Sequence, residues 1–279
     1  MELKMIEYFI GYFQELFSFT FIIRALVVGT FVALCSALLG ITLVLKRYSM
    51  IGEGLSHVGF SALAIAMALN FAPLKVSIPI VVLAAFLLLR ISENSKIKGD
   101  AAIALISSSA LAIGVISISL TKGMNTDVCN YMFGSILTMT KEDVYISVAV
   151  ASIVILLYVI FYNKIFAITF DESFARATGT KVGRYNTLLA ILTALTIVVG
   201  MRMMGAMLIS SLVVFPALSA MRVCKSFKSV VVLSAILSVF SFFVGIVLSF
   251  TLSLPTGSSV VAVSLVMFLF LSLLGVIIK

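Results

Sequence analysis

The sequence predicts an all-α polytopic membrane protein of eight or nine transmembrane helices, and three observations carry that expectation. First, 62% of the 279 residues are hydrophobic and only 11% are charged, whereas a soluble domain is about 45–50% apolar and about 25% charged. A water-facing surface cannot be built from so few charges. Second, the apolar residues fall in long runs at roughly 19–45, 51–70, 74–91, 101–120, 143–163, 185–200, 205–221, 229–252 and 257–278, each near the length of about 20 residues that crosses a hydrocarbon core. Third, the Lys and Arg residues sit at the ends of these runs, where membrane topology is set.

Taken in chain order, the runs leave room for one membrane domain over residues 1–279 and no separate soluble domain. The segment before the first run carries Glu2, Glu7 and Glu15. It lacks a charged head, a short apolar stretch and a small-residue cleavage site in that order, so no cleaved signal peptide is expected. Lys46-Arg47 closes the first run, and the second opens at once with Glu53 and His57. Asp100 precedes the fourth run, where Asp usually caps a helix. Between the fourth and fifth, residues 121–143 include Tyr131 to Leu137, apolar but too short to span, and expected to fold back over the outer mouth.

The stretch of about 164–184 between the fifth and sixth runs is hydrophilic. Its Asp171-Glu172-Ser173-Phe174-Ala175-Arg176-Ala177 core has helix-forming composition, and Gly179 suits the stop, so a short surface helix is predicted. The sixth and seventh runs are separated only by Gly200-Met201-Arg202-Met203-Met204-Gly205. That segment reads either as a tight outer turn or as a break in one long helix, which leaves eight or nine spans. Gly205 and Pro216 are expected to kink the chain there. With nine spans and Lys46-Arg47 inside, the cytoplasmic loops collect thirteen of the 19 Lys and Arg residues, the bias of the positive-inside rule. The N-terminus is then outside and the C-terminus cytoplasmic.

Several function classes drop out. The net charge of +8 is spread over loop ends and forms no patch or stripe, so no nucleic-acid partner is expected. Cys35, Cys129 and Cys224 are far apart and match neither a redox CxxC pair nor a thiolate metal site, and no disulfide is expected. No GxxxxGK[ST] loop occurs, so any work driven by ATP needs a partner chain. No cluster of nucleophile and base suggests an enzyme.

Glu53 and His57 are the residues that stand out, because an ionisable group inside an apolar run is costly and marks function by default. His57 is the single histidine, four residues after Glu53, which puts carboxylate and imidazole on one helix face. Both could bind one ion. Two ligands are too few to hold a divalent metal tightly, but a two-fold dimer apposing this helix to its copy supplies two Glu and two His. Such oxygen and nitrogen donors suit zinc or manganese better than copper(I). The bland alternative is a helix-start Glu at the inner lipid boundary beside Lys46 and Arg47, with a histidine that satisfies a local hydrogen bond. Met201, Met203, Met204 and Met207 read as packing residues rather than thioether ligands.

With these features in place, the chain resembles the membrane permease subunit of ATP-binding-cassette importers for zinc and manganese, of the type II importer-like architecture. The likeness spans nearly the whole length. It rests on Leu45 to His57, on Gly99-Asp100-Ala101-Ala102-Ile103, on Tyr131-Met132-Phe133-Gly134-Ser135-Ile136-Leu137 and on Asp171 to Gly179, in the family's order. The resemblance implies a homodimeric permease that takes a divalent metal from an extracytoplasmic metal-binding protein and is energised by a separate cytoplasmic ATPase. The chain itself would then bind no cofactor, with ATP on the partner and the metal as cargo.

The same likeness gives Asp171, Glu172, Phe174, Ala175, Arg176 and Gly179 the role of a coupling helix docked on the ATPase, and puts Glu53 and His57 in the metal path. Where the family usually has Asp, residue 53 is Glu, which keeps the charge and reaches one methylene farther. Where many manganese-type relatives have Pro-Gly after the histidine, this chain has Ser61-Ala62, which leans to zinc with manganese next. The rival reading is a secondary metal or proton transporter, or a channel, using Glu53 and His57 without an ATPase.

Overall fold

The computed structural model describes residues 20–94, 99–120 and 140–277, and every regular element among them is helical. The helices are α1 (Thr20–Leu45), α2 (Ile51–Ala68), α3 (Pro73–Asn94), α4 (Gly99–Ser119), α5 (Lys141–Ile160), the short α6 (Tyr162–Phe170) and α7 (Glu172–Ala177), then α8 (Val182–Met204), α9 (Ala206–Val223), α10 (Phe227–Leu252) and α11 (Thr256–Ile277). Eight are long and apolar enough to cross a membrane, and α3 contributes a shorter apolar stretch, Leu74–Leu88. The predicted fold-back at Tyr131 to Leu137, both chain ends and Cys129 lie outside the described residues. Cys35 and Cys224 are free thiols.

Contacts between distant residues fix the relative directions of the helices. Helix α8 runs against α1, since Asn186 meets Lys46 and Gly200 meets Val32. Helix α9 runs with α1, since Ile209 lies beside Gly200 at the Val32 level, and a Cβ on Gly40 would collide with the Val213 carbonyl. Helices α8 and α9 are therefore antiparallel, joined at Gly205, whose φ of 83° ends one helix and opens the next. This resolves the ambiguity at residues 200–205 as a hairpin between two helices. Pro216, by contrast, sits inside an unbroken α9.

A second set of contacts decides α3. Gly54 faces Ile103 and Gly114 faces Ser61 and Phe60, so α2 and α4 are parallel neighbours. A chain that leaves α2 at one end of the bundle and enters α4 at the other must traverse the bundle in between. Helix α3 makes that crossing, with Val81 at its middle against Gly59. Nine helices thus run the length of the bundle among the described residues.

Within a bilayer the polar side chains must find partners, and most do so on their own helix. Thr30, Ser56, Thr193, Thr196 and Ser264 each donate to the carbonyl four residues earlier, at 2.7 to 2.9 Å. A few bonds cross helices instead. Ser238 donates to the Ala33 carbonyl at 2.9 Å, and Cys35 Sγ to that of Ala151 at 3.4 Å. Helices α1, α2 and α8 form the buried centre, while α4 and α11 present mostly exposed apolar faces.

Candidate functional site

Helix α2 begins inside the bundle, and the turn before it explains how. After α1 ends at Leu45, Arg47 adopts the left-handed conformation at φ 62°, with Arg47 N–H bonded to Val44 O and Tyr48 N–H to Leu43 O. That six-to-one closure is the usual reversal at a helix C-terminus. It sends Tyr48 back against the main core, so Ile51 is already buried when the next helix starts. Gly52 then faces Ser210 of α9, with 3.7 Å from an added Cβ to the Ser210 Cα. Ser210 is twelve residues from Arg222, roughly 18 Å along a helix, and Arg222 meets Gly275 near the far end of α9.

From residue 51 to residue 64 every side chain is buried except Glu53 and His57. These two line a cavity of about 270 Å³ together with Met207, Ser210 and Ser211 of α9. The pair therefore faces the first turns of α9. Lys46 is engaged elsewhere, as shown below. Among the described residues no three His, Cys, Asp or Glu side chains come together. Met207 is exposed, Met201 and Met204 are buried, and Met201 packs on Gly59. Ser61 is buried and donates to the Ala110 carbonyl on α4, so the Ser61-Ala62 step packs helices and does not line the cavity. Residues 99 and 100 already belong to the first turn of α4.

The second predicted feature forms as a helix. Asp171 is the N-cap of α7 and its Oδ1 accepts from the Phe174 N–H at 2.9 Å. Gly179, at φ 83°, takes the left-handed position after it, with its N–H on the Arg176 carbonyl. Ala175 is fully buried and holds α7 to a cluster with Ile165, Ile168 and Val182. The other side of α7 is open: Phe174 is 65% exposed, an apolar ring on a short polar helix.

Two residues outside the predicted set anchor this helix. Lys46 Nζ donates to Glu172 Oε1 and to Asn186 Oδ1, both at 2.6 Å, and Asn186 Nδ2 donates to Glu172 Oε1 at 3.3 Å. The Lys46 side chain is 9% exposed and that of Glu172 45%. Burial pushes the Glu172 pKa up, but the Lys46 bond and charge, with Asn186 and Arg176, outweigh it and leave the carboxyl below its ordinary value. The pair thus ties the end of α1 and the start of α8 to α7.

The ABC 3 transport family is matched over residues 18–275. The chain belongs to that family. It is 33% identical over 265 residues to the manganese import system permease protein ScaB of Streptococcus gordonii, covering 95% of this chain and 94% of that one. It is 29% identical to the high-affinity zinc uptake system membrane protein ZnuB of Haemophilus influenzae, over 90% of this chain and 96% of that one. Among solved structures it is similar to PsaBC from Streptococcus pneumoniae in complex with Fab, with a TM-score of 0.84 and 30% identity over 94% of this chain and 95% of that one. The protein is a multi-pass membrane permease subunit and not an enzyme, its helical architecture the one expected from sequence; hydrolysis of ATP belongs to a partner subunit.

Proposed function

We propose that this permease carries a divalent metal ion, of the zinc and manganese kind, into the cell as one half of a homodimer driven by a cytoplasmic ATPase. The observation that carries the reading is the single polar facet of α2. Between residues 51 and 64 of α2 only Glu53, exposed, and His57, half-buried, are not buried, and charged or polar groups facing lipid would be expensive. They face a cavity instead, and a second copy brought against it doubles the donors to two carboxylates and two imidazoles, enough to replace an ion's water. Ser210 and Ser211 add hydroxyl oxygens along the same wall.

The ion within this class follows from the donors only in part. Carboxylate and imidazole accept zinc and manganese alike, and zinc binds such sites more tightly by the usual affinity order. Relatives named for manganese and for zinc are both close, and Ser61, which leaned the sequence toward zinc, packs on α4 away from the cavity. The exposed Phe174 on α7 supports an ATPase partner over the secondary-transporter reading, which leaves that ring without a function. An extracytoplasmic metal-binding protein would deliver the ion at the Gly205 end, with the C-terminus cytoplasmic.

The test uses proteoliposomes holding the permease and its ATPase, loaded with a metal-sensitive dye. His57→Ala is expected to reduce zinc and manganese uptake at least tenfold while ATPase binding persists. Uptake by that variant at the wild-type rate removes His57 from the path and sinks the proposal. The ratio of zinc to manganese uptake in the wild type assigns the ion.

A further inference from the structure

The end of the bundle that carries Lys46 holds a second, open cavity of about 460 Å³, formed by the end of α5, by α6, by the Gly179-Thr180 turn after α7 and by the start of α8. Phe161, Lys164, Lys181, Arg184, Tyr185 and Leu188 line it, and no carboxylate is among its described lining residues. Topology calls for cations at this end, but it does not require three of them to converge on one hollow. Lys181 is the N-cap of α8 and Arg184 lies in its first turn, which holds no acidic residue. That is the positive end of the dipole of a 23-residue helix, where cations are disfavoured. An anion between the three charges relieves both their mutual repulsion and their repulsion by the dipole.

The floor of the hollow is apolar. Phe161 and Tyr185 pack edge to face at 5.7 Å, and Leu188 lies one turn deeper on α8. On α5, Ile153, Leu156 and Ile160 are exposed at helical spacing in a track that ends at Lys164. In a membrane such a track faces acyl chains, so the basic hollow caps a lipid-facing surface. Its volume falls in the range of about 300–1,000 Å³ typical of small-molecule sites.

We propose that this hollow binds the phosphodiester headgroup of an anionic phospholipid, whose acyl chains lie along the exposed face of α5. Basic pockets between helices at the cytoplasmic surface recognise such headgroups. The continuity with the apolar track favours lipid over an acidic surface of the ATPase, which would meet the charges without needing α5. The inference is independent of the metal path, and its readout does not involve transport.

The test places the full-length permease in nanodiscs of phosphatidylcholine alone or of an equimolar mixture with phosphatidylglycerol, and counts retained lipid by native mass spectrometry. Wild-type protein is expected to retain phosphatidylglycerol in preference to phosphatidylcholine. Lys181→Gln and Arg184→Gln are each expected to weaken that retention about fivefold, the effect of one charge near the membrane surface, while Arg184→Lys keeps it. Lys225→Gln and Lys228→Gln, each removing one charge between α9 and the start of α10, serve as the control and are expected to change nothing. Equal loss in this control, or no loss in the Lys181 and Arg184 variants, overturns the site. Displacement by inorganic phosphate as effective as by lipid makes it a free-anion site and overturns the lipid assignment. Loss of ATPase binding in the two variants, with lipid retention intact, assigns the charges to the ATPase instead. Each variant is checked for monodisperse elution, so a misfolded protein is not counted as a loss of binding.

Discussion

At the scale of single residues, the decisive contrast is between Lys46 and His57. That His57 shares a helix face with Glu53 was legible from sequence, because residues four apart on a helix lie one turn above each other, and both line the same cavity. The role of Lys46 was not, because its partner Glu172 lies 126 residues away and nothing in local pattern links the two. The pair yields a pH prediction. The Glu172 pKa is lowered in the fold, so its contribution to stability is fully present above the ordinary value of 4.5 and is lost as pH falls through the depressed value. With Glu172 nearly half exposed, solvent screening limits that contribution to about 1 kcal/mol or less. Glu172→Gln is therefore expected to lower the thermal midpoint by roughly a degree or two at neutral pH. The difference from wild type should close in acid, as followed by thermal denaturation in detergent; a gap that widens as pH falls contradicts the assignment.

At the scale of elements, α7 was readable from its ends, since Asp171 and Gly179 are the residue types that start and stop a helix. Its outward face is where function should show. Replacing Phe174 with Asp puts a charge where an apolar ring would dock, and loss of one buried Phe alone costs about 1.5–3 kcal/mol. Transport and stimulated ATP hydrolysis in the reconstituted complex are expected to fall tenfold or more, with the amount of permease in the membrane unchanged. The cavity wall formed by Ser210 and Ser211 was not readable, because serines on an apolar span carry no period that tells a lumen from a helix contact. Helix spacing is also set by glycine. At Gly40 an added methyl meets the Val213 backbone, which cannot rotate aside, while at Gly183 nothing lies within 4 Å. Gly40→Ala is expected to destabilise the protein by about 1–3 kcal/mol, and Gly183→Ala to leave it unchanged or slightly more stable. A comparison of their melting curves checks the close approach of α1 and α9.

At the scale of the whole molecule, the apolar runs were visible as runs, but their number could not be settled by hydropathy, which admits eight helices and leaves α3 short. What settles it is a packing relation absent from any window of sequence. Helices α2 and α4 are parallel, through Gly54 against Ile103 and Gly114 against Phe60, and two parallel helices in succession need a third to return the chain. The hairpin at Gly205 adds the other disputed crossing. Nine helices along the bundle put the turn around Asn70 and the one around Ser253 at one end of it, and the turn at Lys225 with α7 at the other. Asn70, just past the C-cap of α2, and Ser253, the C-cap of α10, both have positive φ and are exposed, so each is a surface turn that tolerates a probe. In a protein with Cys35, Cys129 and Cys224 replaced by Ala, Asn70→Cys and Ser253→Cys are expected to react with a membrane-impermeant maleimide added outside intact cells. Ser173→Cys on α7 should react only after permeabilisation. If Asn70→Cys is protected until the cells are opened while Ser253→Cys is not, α3 fails to cross and the count returns to eight.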